Sequence, residues 1–129
     1  WQQGTQCVSN FWNRYGLRME IQVQSGDGDH AIELRAGRGR SNARTLYLED
    51  SNYQCGVLIH EFGHYLGLGD EYVEAGYACG FRAAHLDRES PMNNAYQNPS
   101  VLRIRPRHFQ RILGNVCGSP FEFARGQGP

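Results

Sequence analysis

The residues most able to do chemistry in this sequence form one short block, His60-Glu61-Phe62-Gly63-His64. On a helix, His60 and His64 project from one face one turn apart, which suits two nitrogen ligands on one zinc ion. Glu61 lies about 100° around the helix from His60, too far round to be an easy third ligand. It is well placed to take a proton from a water held by the metal. We therefore interpret the two histidines as zinc ligands and Glu61 as a general base.

The residues that follow His64 supply a turn and a candidate third ligand. Gly67 can adopt the left-handed conformation that ends a helix and turns the chain sharply. Three residues later, Asp70 offers a carboxylate where the returning chain could reach the same metal. The plain alternative for Asp70 is a capping or salt-bridging role in a loop, and Glu71 is a rival ligand. We predict that Asp70 completes the ligand set.

The block from His60 to Asp70 resembles the metzincin metallopeptidases, whose extended motif is H-E-x-x-H-x-x-G-x-x-H. The last ligand of that motif is aspartate here. Among metzincins this pattern is most similar to the snapalysins, small secreted bacterial peptidases with aspartate in that place. Downstream, residues 90–93 (Ser-Pro-Met-Asn) are similar to the Met-turn of the family. The resemblance implies that Met92 forms a hydrophobic floor beneath the metal.

One position departs from the family pattern. Many metzincins carry a tyrosine two residues after the Met-turn methionine, and that position is Asn94 here. Tyr96 is the nearest substitute for a hydrogen bond to the transition state, and an ordinary loop tyrosine is the plain alternative. Elsewhere, Glu89 could mimic the downstream glutamate of thermolysin-like enzymes, but Gly67 and Asp70 make that interpretation unnecessary.

The resemblance implies an α+β fold of the compact metzincin type. A small twisted sheet would pack on a first helix and on the active-site helix. A loop-rich lower half with the Met-turn and a C-terminal helix would follow. We expect one catalytic domain over residues 1–129, with the tail 118–129 loosely ordered or acting as a linker.

The implied function is that of a zinc-dependent endopeptidase, which hydrolyses peptide bonds with a metal-activated water and a glutamate base. We expect a protein or peptide substrate, and a monomer that is secreted by a bacterium. Two other classes stay open. One is a zinc hydrolase of a non-protein or cell-wall peptide substrate, and the other is a zinc-stabilised toxin or binding module without turnover.

Hydrophobic periodicity predicts the elements that must position these residues. Three helices are predicted. The first spans residues 5–15, the second follows a capping box formed by Ser51 and Gln54, and the third lies between Pro106 and Gly118. Strands are predicted at residues 17–24, 32–36 and 45–48, and residues 70–105 read as loops. The last of these strands would border the cleft, where an extended peptide could pair with it.

Composition narrows the class of protein. The 129 residues carry thirteen acidic residues and thirteen basic ones, all arginine, so no overall field points to nucleic acid or a membrane surface. No apolar run approaches the length of a membrane span. The histidines outside the motif, His30, His85 and His108, have no ligand spacing to one another and are interpreted as structural or solvated.

Cysteine usage indicates an oxidising compartment. The four cysteines lie far apart with no C-x-x-C pair, so two disulfides are a better interpretation than a thiolate metal site. Three connectivities are open, and we favour Cys7–Cys117 with Cys55–Cys79.

Overall fold

The computed structural model describes residues 2–16, 18–26, 28–47, 55–74, 81–82, 86–93 and 98–117. These residues form a small α+β structure with three helices and two short strand pairs. In chain order the elements are α1 (Gln2–Asn13), β1 (Glu33–Arg35), β2 (Thr45–Tyr47), α2 (Cys55–Tyr65), β3 (Val73–Glu74), β4 (Phe81–Arg82) and α3 (Pro106–Cys117). No helix in the described ranges is long and apolar enough to cross a membrane.

The three helices lie in the segments where the apolar periodicity predicts them, although α1 begins three residues before the predicted start and ends two residues before the predicted end. In α1, Val8, Phe11 and Trp12 are fully buried, so the 3.6-residue spacing marks a face in contact with the core. Leu58 and Ile59 of α2 and Ile112 of α3 are buried in the same cluster. The start predicted for α2 at Ser51 and Gln54, and the tail 118–129, lie outside the described residues.

A disulfide joins the first two helices and corrects the predicted pairing. Cys7 of α1 is bonded to Cys55 at the start of α2, with 5.9 Å between their Cα atoms. The predicted pairs Cys7–Cys117 and Cys55–Cys79 are therefore wrong, because α1 packs directly on α2 and brings these two thiols together. Cys79 and the side chain of Cys117 are outside the described part of the chain.

The sheet is smaller than the alternating pattern predicts. Strand β1 pairs with β2 in parallel, with Leu34 opposite Leu46, and β3 pairs with β4 in an antiparallel ladder. Residues 18–24 form no strand although their apolar residues alternate. Met19 and Ile21 do pack against the core, but Val23 is 55% exposed. Alternating apolar and polar residues predict which side chains face the core, but a strand also requires a neighbouring strand to which its backbone is hydrogen-bonded.

The free edge of β2 is covered by the loop that precedes it. The Thr45 N–H donates to the Asn42 carbonyl at 3.2 Å, and the Tyr47 N–H donates to Ser41 Oγ at 3.1 Å. Tyr65 of α2 holds the same loop, since its hydroxyl donates to the Ala43 carbonyl. The prediction that a peptide pairs with this edge does not fit this conformation, because its donors are already engaged.

Candidate metal centre

Helix α2 ends in a turn that only glycine adopts easily. Gly67 has φ +83°, its N–H donates to the His64 carbonyl at 2.9 Å, and the Leu68 N–H donates to the Gly63 carbonyl at 3.0 Å. This pair of bonds is a Schellman motif, which satisfies the last carbonyls of α2 and reverses the chain. The left-handed turn predicted from the sequence is confirmed, and it returns Asp70 towards the helix.

Three ligand atoms converge beyond this turn. Asp70 Oδ1 lies 3.2 Å from His60 Nε2 and 3.3 Å from His64 Nε2. All three atoms lie within 4.8 Å of one another, so His60, His64 and Asp70 form a group that could hold a metal ion. Bonds of about 2.05 Å in a tetrahedral site place ligand atoms about 3.3 Å apart. The two separations from Asp70 match that value.

Two backbone carbonyls orient the imidazoles. His60 Nδ1 lies 2.9 Å from the Pro91 carbonyl oxygen, and His64 Nδ1 lies 3.0 Å from that of Leu68. A carbonyl can only accept, so each Nδ1 carries the proton and, in the neutral ring, leaves the Nε2 lone pair free for a metal. The interaction with Pro91 makes the segment that contains Met92 part of the site.

The Asp70 carboxylate supplies the test of whether a cation fits. Its Oδ1 atom is buried and faces the two Nε2 atoms, which donate no hydrogen bond while the Nδ1 atoms carry the ring protons. A buried carboxylate oxygen without a hydrogen bond is costly unless a cation compensates it. Burial alone raises the pKa of Asp70, but the side-chain contacts with His60 and His64 outweigh it and hold that pKa well below its usual range. An ionised oxygen facing two imidazole lone pairs is a suitable donor set for a divalent cation.

Proton and metal compete for this place. Side-chain contact with Asp70 raises the pKa of His64, although burial of the ring opposes the shift. A metal must displace that proton, so its affinity should fall at low pH.

Glu61 is buried beside the ligands and is not one of them. It is only 7% exposed, and burial raises the pKa of its carboxyl group although both imidazoles counteract the shift. Arg40, in the loop before β2, also acts to lower this pKa, so its positive charge lies within electrostatic range. Such a carboxylate, near the metal ligands but outside their set, has the placement expected of a base.

Met92 lies under the helix that carries the histidines. It is fully buried, and a Cβ atom added to Gly63 would collide with its sulfur atom and come within 3.2 Å of its Cε. The Met92 N–H donates to Ser90 Oγ at 3.1 Å, which closes the turn on itself. Glycine at position 63 thus allows α2 to pack closely on the turn just before His64, and a larger residue there would force the end of the Met92 side chain to shift.

A charged cluster joins this turn to α3. Glu71 receives two hydrogen bonds from Arg107, at 2.8 and 2.7 Å, and lies 3.1 Å from Nε2 of the buried His108. Burial raises the pKa of Glu71, but Arg107 and its other partners outweigh that effect and lower the pKa to about 2. Asp87 accepts from Arg105 at 2.7 Å and from Arg107 at 3.2 Å.

The structure separates the candidates named from the sequence. The carboxylate of Glu71, the rival ligand, is bound by Arg107, and Glu89 pairs with Arg105 at 2.7 Å. His30 stacks on Tyr65 with 4.5 Å between ring centroids. Tyr96 and His85 lie outside the described residues, so their roles stay predictions.

Sequence reasoning missed the supporting contacts. Arg107 had no assigned role, and the carbonyls of Pro91 and Leu68 carry no side-chain signal. The only available clue was a basic pair, Arg107 and His108, in the first turn of α3, where a cation opposes the helix dipole and so requires a reason.

Comparisons with protein-family models, curated proteins and solved structures found no match to this chain.

Proposed function

We propose that this protein is a zinc-dependent endopeptidase with a metzincin-like site and fold. The observation that carries the proposal is the convergence of His60 Nε2, His64 Nε2 and Asp70 Oδ1, with Asp70 Oδ1 buried and unpartnered. A buried carboxylate, Glu61, lies beside that group without joining it. Ligands and base therefore occupy separate positions on one helix and the turn after it.

The donor set favours zinc over harder cations. Two imidazole nitrogens and one carboxylate oxygen are typical of zinc sites, whereas calcium and magnesium prefer oxygen ligands throughout. Three protein ligands leave one tetrahedral position open, as in catalytic zinc sites, whereas structural sites are closed by four protein ligands. The proposed zinc site is therefore catalytic.

When bound, zinc would supply Lewis acidity, which activates a water molecule and polarises the scissile carbonyl. The protein itself transfers the proton and holds the ligands in position. Glu61 accepts the proton of the attacking water and passes it to the leaving amine. The Pro91 and Leu68 carbonyls keep His60 and His64 in the tautomer that presents Nε2 to the metal.

A secreted location is part of the proposal. The Cys7–Cys55 disulfide supports it, since disulfides persist mainly in oxidising compartments.

The decisive experiment compares the purified protein with Glu61→Gln on casein and on a random peptide library. We expect chelator-sensitive cleavage by the wild type, restored by zinc. Loss of the base should reduce kcat by at least about 100-fold. Zinc content should stay at wild-type level because Glu61 is not a ligand. The matched control is Glu20→Gln, at an exposed carboxylate remote in sequence from the motif, which should keep full activity.

Each other outcome points to a different class. A wild type that binds zinc, spares peptides and cleaves cell-wall crosslinks would be a hydrolase of that other substrate. A wild type that binds zinc and turns over neither substrate would be a zinc-stabilised toxin or binding module. Cleavage that survives Glu61→Gln would contradict the assigned base.

A further inference from the structure

We infer that Arg107 and His108 of α3 position the metal ligand Asp70 by holding its neighbour Glu71. The inference rests on the proposed metal site and adds to it a set of positioning residues more than 35 positions further along the chain.

Asp70 differs from the other two ligands in how it is supported. Each histidine has a backbone carbonyl behind its ring, which sets the direction of Nε2. Among the described residues, the Oδ1 atom of Asp70 faces the two imidazoles, and no backbone group donates a hydrogen bond to it. The direction of this carboxylate must therefore come from its backbone, and so from the residues on either side.

Gly69 cannot give that support. It is exposed, has no side chain, and a Cβ added there would meet nothing within 4 Å. The residue that fixes the backbone of Asp70 is therefore expected on the other side, at position 71.

All the polar groups of Glu71 are engaged. Its N–H donates to the Met92 carbonyl at 2.8 Å, and its own carbonyl accepts from the Asn93 side chain. Its carboxylate is bound by Arg107 through two nitrogens and contacts His108 Nε2. A residue held by its donor, its acceptor and its side chain has little freedom, and it limits the rotation of the residue before it.

Burial strengthens the contacts of Glu71 with Arg107 and His108. Glu71 is 7% exposed and His108 is 3% exposed, so water cannot replace a lost partner easily. A two-pronged arginine–carboxylate pair also fixes geometry in a way that a lysine cannot. Removal of the Arg107 guanidinium should therefore free the Glu71 carboxylate to move and leave the position of Asp70 Oδ1 less well defined.

The test measures metal binding, not hydrolysis. Zinc affinity is determined by competition with a chromophoric chelator, and the cobalt(II) form is recorded by visible absorption, which reports ligand geometry. Arg107→Met should weaken zinc binding by about 10- to 100-fold, the usual effect of losing an outer-shell partner. It should also shift the cobalt bands, while Arg107→Lys should restore part of the affinity.

Arg105→Met is the matched control. Arg105 lies two residues away, is similarly exposed, and binds Asp87 and Glu89 but not Glu71. The Arg105→Met variant should be less stable than the wild type, with no change in zinc affinity or in the cobalt spectrum. If Arg107→Met and Arg105→Met both keep the wild-type affinity and spectrum, the cluster is merely structural and the inference is overturned.

A second variant and two separate outcomes keep the test decisive. If Arg107→Met does not fold, Glu71→Gln replaces it, since it removes the charge at the same place and should give the same loss of affinity. A wild type that binds zinc but cleaves nothing would refute the peptidase and leave the positioning role intact. An Arg107→Met protein with wild-type zinc affinity would refute the positioning role and leave the peptidase intact.

Discussion

Two regions of this protein are built in different ways: the sheet side, residues 18–47, and the site side, residues 55–74 and 86–117. On the sheet side every residue of β1 is exposed, Leu34 is 44% exposed, and the ion pair of Glu33 with Arg35 lies on the surface. On the site side Ser90, Pro91 and Met92 are fully buried in a segment without regular structure.

The two regions differ in what holds their residues in place. The candidate metal ligands rest on helix α2, a glycine turn, a buried methionine and a cluster of paired charges, and they make little use of the sheet. Substitutions of the buried loop residues on the site side should therefore be costly, and changes at the exposed positions of the sheet side, such as those of β1, should be mild.

Among substitutions within these two regions, the largest effect is expected where Met92 lies against α2. Gly63→Ala should lower the free energy of unfolding by about 1–2 kcal/mol, because overpacking costs about 1–3 kcal/mol and the gain in helix propensity returns up to about 1. Gly69→Ala is the control, since nothing lies within 4 Å of an added Cβ there. Denaturant unfolding of both variants is the measurement, and a Gly63→Ala protein as stable as the wild type would show that the packing is loose.

A moderate effect is expected at the ion pairs of Asp87, on the site side. The hydrogen bonds from Arg105, and then those from Arg107, hold the pKa of Asp87 well below its usual range. A lowered folded-state pKa adds stability above the unfolded value of about 4, and that stability is lost as the pH falls further. Asp87→Asn should thus cost about 1 kcal/mol at pH 7, after allowance for solvent screening, and progressively less below about pH 4.

The matched change on the sheet side is Glu33→Gln, which breaks a pair whose side chains are 56% and 51% exposed. It should leave the unfolding free energy unchanged, because exposed ion pairs contribute little. Unfolding curves recorded in chelator between pH 3 and pH 7 test both variants. A cost of Asp87→Asn that grows at low pH would contradict the sign given above.

A similarly small effect is expected at Val23. Because this side chain is 55% exposed, Val23→Thr should change the unfolding free energy by less than about 0.5 kcal/mol. The same substitution at the fully buried Val8 should cost about 1–3 kcal/mol, since it buries a hydroxyl group among apolar side chains. Equal costs at the two sites, measured by thermal or denaturant unfolding, would mean that residues 18–24 are as well packed as the core.

The parts that were predictable from the sequence are those with a local cause. The helical spacing of Val8, Phe11 and Trp12, the histidine pair, and the stop at Gly67 each depend on residues a turn or two apart. The strand predicted at residues 17–24 was wrong, because pairing depends on a partner that local alternation does not specify. The disulfide pairing failed for the same reason, since it depends on which helices touch.

By itself, the sequence determined that a metal-binding pattern stands on a helix that ends in a left-handed glycine turn, because both features depend on spacing along one segment. Only the tertiary structure decided that Asp70 and not Glu71 faces the imidazoles, that the Pro91 carbonyl orients His60, and that α3 holds the turn. The last two of these contacts join residues 31 to 37 positions apart, where no periodicity connects them. They form only once burial has brought the segments together and left each polar group in need of a partner.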